Sequence, residues 1–137
     1  MSKLKEVHIT DSNLRLENNI VKGGILPNKI SELTRTVTVA GETIVEGPLY
    51  AARLSIEAAP LEVTGAVFAQ QELYVNSNVV GNVTFRKAVG SATSIVSRAA
   101  GCQTTFCSDV NSKSIDLNNA FVAGSIYGDE VVLENCV

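Results

Sequence analysis

A short motif recurs along the chain and constrains its fold more than any other feature. The motif reads Val-x-Gly-x-aliphatic-x-small, and its copies begin at Val21, Val45, Val63, Val79 and Val122. The copy at Val21 is the weakest, and the copy at Val79 has Phe85 in place of the small residue. In each copy the apolar residues alternate with other residues, which is the period-two pattern of a β-strand with one buried face.

A second segment completes the repeat three or four residues later. It has the form aliphatic-x-aliphatic, as in residues 54–56, 73–75 and 131–133. Together the two segments predict a unit of two or three short strands in about 16 to 24 residues, which is the size of one coil of a parallel β-helix. The interval from Val79 to Val122 is about two units long, so a further coil is expected between Ala88 and Asn111. We expect its inward-facing residues among Ile95, Val96, Phe106 and Val110.

The composition favours the same all-β architecture. The chain contains 18 Val and 9 Ile, whereas aromatic residues make up only 5%. β-Branched residues favour strands, and a narrow solenoid interior needs fewer large aromatic side chains than a sandwich or barrel. Hairpins are disfavoured because neither Asn-Gly nor Asp-Gly, the usual tight turns, occurs in the sequence. We therefore predict a single-stranded parallel β-helix.

Asparagines are frequent where the predicted strands end. They are Asn18, Asn19, Asn76, Asn78, Asn118, Asn119 and Asn135. Such a set could form a ladder that binds a ligand. Corner geometry explains it more simply, because asparagine tolerates the left-handed backbone and bonds to nearby backbone groups.

The repeat also divides the chain. A length of 137 residues predicts one domain, with residues 1–36 as an N-terminal capping segment or extension that has room for a first coil, and residues 37–137 as the β-helix. The pattern calls for another strand where the sequence stops, so the chain is either a piece of a longer solenoid or has an open end that serves as an interface. We predict that Val131, Leu133 and Val137 form part of this self-assembly contact, because open coil ends offer unpaired backbone groups.

The motif copies at Val45, Val63, Val79 and Val122 resemble those of the bactofilins, the polymer-forming cytoskeletal proteins of bacteria, and the resemblance covers residues 37–137. It implies a right-handed, three-sided parallel β-helix. It also implies subunits that join end to end into filaments without nucleotide and act as scaffolds for cell shape or for partners. The chain departs from the family in its irregular coil lengths and in its longer, more ordered-looking N-terminal segment.

Charge and hydropathy exclude several classes of function. The net charge is -3, without a basic cluster, so no nucleic-acid partner is expected. No apolar run approaches the ~20 residues of a transmembrane segment, and the first residues lack the apolar stretch of a signal peptide. We expect a cytoplasmic protein that reaches a membrane only through a partner.

The residues that could support catalysis are sparse. His8 is the single histidine and lies outside the repeat, so it is expected to be structural. Cys102, Cys107 and Cys136 lack the spacing of a zinc site and are expected to be reduced. Cys136 could be redox-active if it is exposed. Asp129, Glu130 and Glu134 are expected to form a solvated face, so we predict no cofactor, no metal and no catalytic site.

Three hypotheses follow, in order of preference. The first is a noncatalytic scaffold that binds to itself through the ends of the solenoid. The second is a monomeric or dimeric solenoid that binds another protein, with the N-terminal segment as a cap or contact. The third is an enzyme, such as a solenoid acyltransferase, although such acyltransferases use a catalytic histidine on a coil and His8 lies elsewhere.

Overall fold

The computed structural model describes residues 5–6, 13–25, 35–77, 79, 81–98, 104–134 and 136. Every regular element within these ranges is a β-strand, which confirms the all-β prediction. In chain order the strands are Lys5–Glu6 (β1), Asn13–Leu16 (β2), Asn19–Lys22 (β3), Thr36–Val39 (β4), Thr43–Glu46 (β5), Leu49–Ile56 (β6), Leu61–Val63 (β7), Val67–Val75 (β8), Val83–Phe85 (β9), Val89–Ser91 (β10), Ser94–Ser97 (β11), Thr104–Phe106 (β12), Val110–Asn111 (β13), Ser114–Asn118 (β14), Ala120–Val122 (β15), Ile126–Tyr127 (β16) and Glu130–Glu134 (β17).

The strands form three parallel ladders, which we call faces 1, 2 and 3. Face 1 contains β1, β3, β5, β7, β9, β12 and β15. Face 2 contains residues 49–51 of β6, residues 67–69 of β8, and then β10, β13 and β16. Face 3 contains β2, β4, residues 53–56 of β6, residues 72–75 of β8, and then β11, β14 and β17.

The chain passes through faces 1, 2 and 3 in turn and then begins the next coil, and it completes about 5 turns. Each strand therefore pairs with its equivalent one coil away, as the repeat predicts for a parallel solenoid. The described residues confirm the parallel β-solenoid, whereas its right-handed sense stays a prediction.

The N-terminal part of the chain already contributes strands to this stack. Strand β2 pairs with β4 and β3 pairs with β5, while Ile25 forms a bridge to Leu49. Residues 1–4, 7–12 and 26–34 lie outside the described residues. The predicted cap and its boundary at residue 36 stay predictions.

The core follows from the alternation within each strand. In β14, for example, Ile115 and Leu117 are buried while the intervening Asp116 is half-buried. Inward residues of successive coils are register partners, so they form columns along the solenoid axis. One column of face 1 contains Val21, Val45, Val63, Phe85, Phe106 and Val122.

This column corrects the alignment of the fourth motif copy. The sequence places Val79 in the same position as Val63, but the register pairs Val63 with Phe85. The corner that precedes β9 is longer than the sequence interval suggests, and the valine of this coil is replaced by phenylalanine. In this coil the counterpart of Val63 is therefore Phe85, which lies six residues after Val79.

The expected strands are present between Ala88 and Asn111, but they belong to two successive coils. Ile95 lies in β11, whereas Phe106 and Val110 lie in β12 and β13 of the next coil, and all three are buried. Val96 alternates with Ile95 and is only half-buried. The prediction that Val96 faces inward is wrong, because a strand cannot direct two consecutive side chains to the same side.

Glycine and asparagine shape the corners between faces. Gly47 has φ 142° and lies against the backbone of Gly23, so a β-carbon at this position would approach within 2.9 Å of its carbonyl carbon. Asn18 and Asn119 each directly precede a strand of face 1, β3 and β15 respectively, and have φ values of 57° and 58°. The left-handed conformation predicted for corner asparagines is confirmed at these two positions.

Candidate interaction surface

The last described coil, formed by β15, β16 and β17, leaves part of the core uncovered. Val131 and Leu133 are the register partners of the buried Ile115 and Leu117, so they occupy inward positions. They are nevertheless 40% and 49% exposed, whereas Ile115 and Leu117 are 1% and 0% exposed. No described coil lies over this side of β17. We call the surface formed by Val131, Leu133 and the neighbouring Ile126 the open surface.

The opposite end of the solenoid differs. Leu14 and Leu16 occupy the same face 3 columns in the first described coil, yet they are only 6% and 0% exposed. The apolar interior is therefore covered at the β2 end and exposed at the β17 end. The two ends are not equivalent surfaces.

The exposed fractions of Val131 and Leu133 set the free energy that a partner would gain by covering these side chains. Complete burial of a valine or leucine side chain is worth about 1.5–3 kcal/mol. About half of that remains available on each of Val131 and Leu133. A partner that covers both would gain about 2 kcal/mol from these two side chains alone.

The structure places two of the three predicted contact residues together. Val131 and Leu133 lie two residues apart on β17 and share the open surface, whereas Val137 lies outside the described residues. Their role in a contact stays a prediction. Cys136 is half-buried beside them, and its Sγ donates a hydrogen bond of 3.3 Å to the carbonyl oxygen of Leu117.

Sequence reasoning missed three further exposed apolar residues in the last coil. Phe121, Tyr127 and Val132 are 40%, 54% and 55% exposed. They occupy outward positions, where the alternation predicts polar residues. The break in alternation at residues 131–133 is the one sequence signal that could have revealed Val132.

Three exposed carboxylates lie on the last described coil. Asp129, Glu130 and Glu134 are all exposed, in agreement with the expected solvated face. The backbone N–H groups of Asp129 and Glu130 donate to the carbonyl oxygen of Lys113, which fixes the corner that leads into β17. One coil away Asp116 pairs with Arg98 at 2.7 Å. The alternation places Glu130 and Glu134 on the outer side of β17, opposite Val131 and Leu133, and Lys113 lines a depression together with Asp129 and Glu130.

The remaining sites considered from sequence do not form a catalytic cluster within the described residues. His8 and Cys102 lie outside them, and no group of three or more His, Cys, Asp or Glu side chains that could hold a metal occurs among them. Cys107 is a free, half-buried thiol on face 1 beside Arg86.

A shallow depression of about 220 Å³ lies on face 1 and is lined in part by Glu42, Glu62 and Arg86. Arg86 Nε donates a 2.7 Å hydrogen bond to Glu62 Oε2. This hydrogen bond and the charge of Glu62 raise the pKa of Arg86 above its ordinary value. The depression therefore contains a surface ion pair between Arg86 and Glu62.

Face 2 carries an uncharged strip across three coils. Its outward residues are Pro48, Tyr50, Ala66, Phe68, Ala88 and Gly90. The rings of Tyr50 and Phe68 lie 6.0 Å apart and are tilted by 53°. The strip offers a second surface with partly exposed aromatic residues and without charge.

Comparison with known proteins adds no relative to this description. No protein-family model, no curated protein and no solved structure matches the chain. Within the described residues, no helix has the length and hydropathy needed to cross a bilayer. The molecule is thus defined by its fold, as a β-solenoid.

Proposed function

We propose that this β-solenoid is a noncatalytic structural protein that associates with further copies of itself through the open surface. One observation carries the proposal: Val131 and Leu133 stand in inward register positions and yet are 40% and 49% exposed. Elsewhere in the described solenoid such positions are covered by the next coil. A second copy can supply that cover, and among the described strands β17 pairs only with β14, so its other edge can pair with the same partner.

The bactofilin resemblance supports the same proposal. The described fold is compatible with a bactofilin-like β-helix, and subunits of that family join end to end without nucleotide. In this interpretation the protein is a cytoplasmic scaffold whose solenoid faces remain available to other proteins.

The test compares two substitutions on one strand. Val131→Asp places a carboxylate on the open surface, whereas Val132→Asp places the same charge on the outward side of β17. We expect Val131→Asp to abolish concentration-dependent growth in sedimentation velocity and in negative-stain images, and Val132→Asp to retain it. Leu133→Lys gives a second variant of the open surface with the opposite charge.

Folding is checked for each variant by circular dichroism and urea denaturation. If folded Val131→Asp and Leu133→Lys proteins both assemble like the unchanged chain, the proposal fails. It also fails if the unchanged chain stays a monomer at every concentration.

A protein-binding module is the second candidate, and the uncharged strip on face 2 favours it. Partly exposed Tyr50 and Phe68 are the residue types enriched in protein interfaces. In this case the chain keeps one size at all concentrations, and Phe68→Glu removes binding to its partner while Val131→Asp does not.

A further inference from the structure

Face 2 brings large and small outward side chains together on two adjacent coils. The outward residues around β8 are Ala66, Phe68 and Gln70, and those around β10 are Ala88, Gly90 and Ala92. The register places Phe68 beside Gly90. A β-carbon at Gly90 would lie 3.7 Å from Phe68 Cδ1, so the phenyl ring borders a position without a side chain. The face thus has a raised row at β8 and a low row at β10.

This shape is complementary to itself. A two-fold axis that lies between two facing copies, parallel to the strands, reverses the order of the coils and keeps each position along a strand. When the axis passes between β8 and β10, Phe68 of one copy lies opposite Gly90 of the other, and Gln70 lies opposite Ala92. Each pair occurs twice in a two-fold contact. Large side chains therefore meet small ones, as close packing requires.

Charge also distinguishes face 2 from the other faces of these two coils. The outward residues of face 2 named above are all uncharged. Faces 1 and 3 of the same coils carry outward charged side chains, which are Glu62, Glu72, Arg86 and Arg98. A contact between two equal surfaces brings like charges together near its axis, and like charges in an interface cost free energy. Among the three faces of these coils, face 2 therefore meets a second copy without that cost.

We propose that face 2 binds face 2 of a second copy about this axis, so that two copies form a closed dimer. The contact does not involve the open surface. With strands ~4.8 Å apart and ~3.3 Å per residue, the two rows and one coil on either side cover about 300 Å² on each copy. This is below the ~800 Å² per partner of a stable interface. We therefore expect a weak dimer that is populated at protein concentrations of about 0.1–1 mM.

The test uses Val131→Asp as its background, because this substitution blocks the open surface and leaves face 2 unchanged. A two-fold contact closes at the dimer, so it is distinct from the open-ended growth that Val131→Asp removes. We expect sedimentation equilibrium of Val131→Asp to show monomer and dimer. Phe68→Glu or Gly90→Arg in this background should weaken dimerisation by at least about tenfold, because each places two uncompensated charges in the contact. Thr105→Glu, at a half-buried outward position of face 1, is the control and should keep the dimer.

A mixture of the two face 2 variants tests the position of the axis. In a mixed dimer the carboxylate introduced at position 68 lies opposite the guanidinium introduced at position 90. The second pair of the same contact is still Phe68 on Gly90, as in the unchanged chain. We expect the mixture to dimerise at least about tenfold more tightly than either variant alone. Such rescue also shows that both variants are folded.

Three results would overturn the inference. They are a Val131→Asp chain that stays monomeric at about 1 mM, a dimer that survives both Phe68→Glu and Gly90→Arg, and a mixture that dimerises no more tightly than its components. Binding of a different protein to face 2 of a monomeric Val131→Asp chain would also overturn it, in favour of the protein-binding module. The proposed function fails separately: a Val131→Asp dimer together with an unchanged chain that never grows beyond a dimer would leave this inference standing.

Discussion

Phe85 and Phe106 stack on each other inside the solenoid, with ring centroids 5.2 Å apart and ring planes inclined by 18°. They are register partners on adjacent coils of face 1, in a column that is otherwise valine. The other inward positions of these two coils include Ser91, Ser97 and Ser112, which are small and buried. Large and small buried side chains thus occur together in these two coils, as close packing of the interior requires.

The stack predicts a large loss of stability for Phe106→Ala. Phe106 is 0% exposed, and removal of its ring leaves a cavity beside Phe85, so we expect unfolding free energy to fall by about 3–5 kcal/mol. Urea denaturation measures the change. The control is Phe121→Ala, because Phe121 lies on the same face but is 40% exposed. Equal losses for the two variants would contradict the packing described here.

Thr104→Val is expected to leave stability unchanged or to raise it by about 1 kcal/mol. Thr104 Oγ1 is buried and has no hydrogen-bond partner among the described residues. A buried hydroxyl without a partner costs free energy, and valine has nearly the same shape without it. Thr105→Val, at the adjacent outward position, is the control and should change stability by less than about 0.5 kcal/mol. A loss above about 1 kcal/mol in Thr104→Val would show that the hydroxyl is bonded.

The fold was predictable where the coils are alike. Val45 and Val63 follow corners of similar length and fill equivalent lumen positions, so the same motif recurs at both. Prediction failed at Val79 because Phe85 replaces valine and a longer corner precedes it. The local alternation of residues shows which side of a strand is apolar. The register of a strand, however, depends on its pairing with a strand about twenty residues away, so a short sequence segment does not determine it.

Only part of the candidate interaction surface could likewise be predicted from the local sequence. Val131 and Leu133 were predictable as inward residues because they match the aliphatic-x-aliphatic segment of the repeat. Phe121 and Tyr127 were not, since an isolated outward aromatic residue has no periodic signal. Whether an inward residue becomes a contact depends on what covers its coil, and this is a property of the stack rather than of the strand. The extent of the exposure of Val131, 40%, therefore came from the structure.

Gly65→Ala tests the corner between faces 1 and 2, where Gly65 is the glycine of the motif copy that begins at Val63. A β-carbon at Gly65 would overlap the backbone nitrogen of Pro48 and lie 2.6 Å from the carbonyl oxygen of Gly47. Backbone atoms on an adjacent coil cannot move independently of their ladder. We expect a loss of about 1–3 kcal/mol, measured as a lower urea midpoint.

The matched control for this corner is Gly90→Ala on face 2. There the nearest atom to an added β-carbon is the carbonyl oxygen of Asn111 at 3.5 Å, which is an ordinary contact. Alanine restricts the unfolded chain more than glycine does, so we expect Gly90→Ala to be neutral or stabilising by about 0.4–1 kcal/mol. If Gly65→Ala behaved in the same way, the coils would not meet as closely at this corner as the glycine requires. A loss confined to Gly65→Ala would show that direct backbone contact between coils is why the motif keeps glycine at its third position.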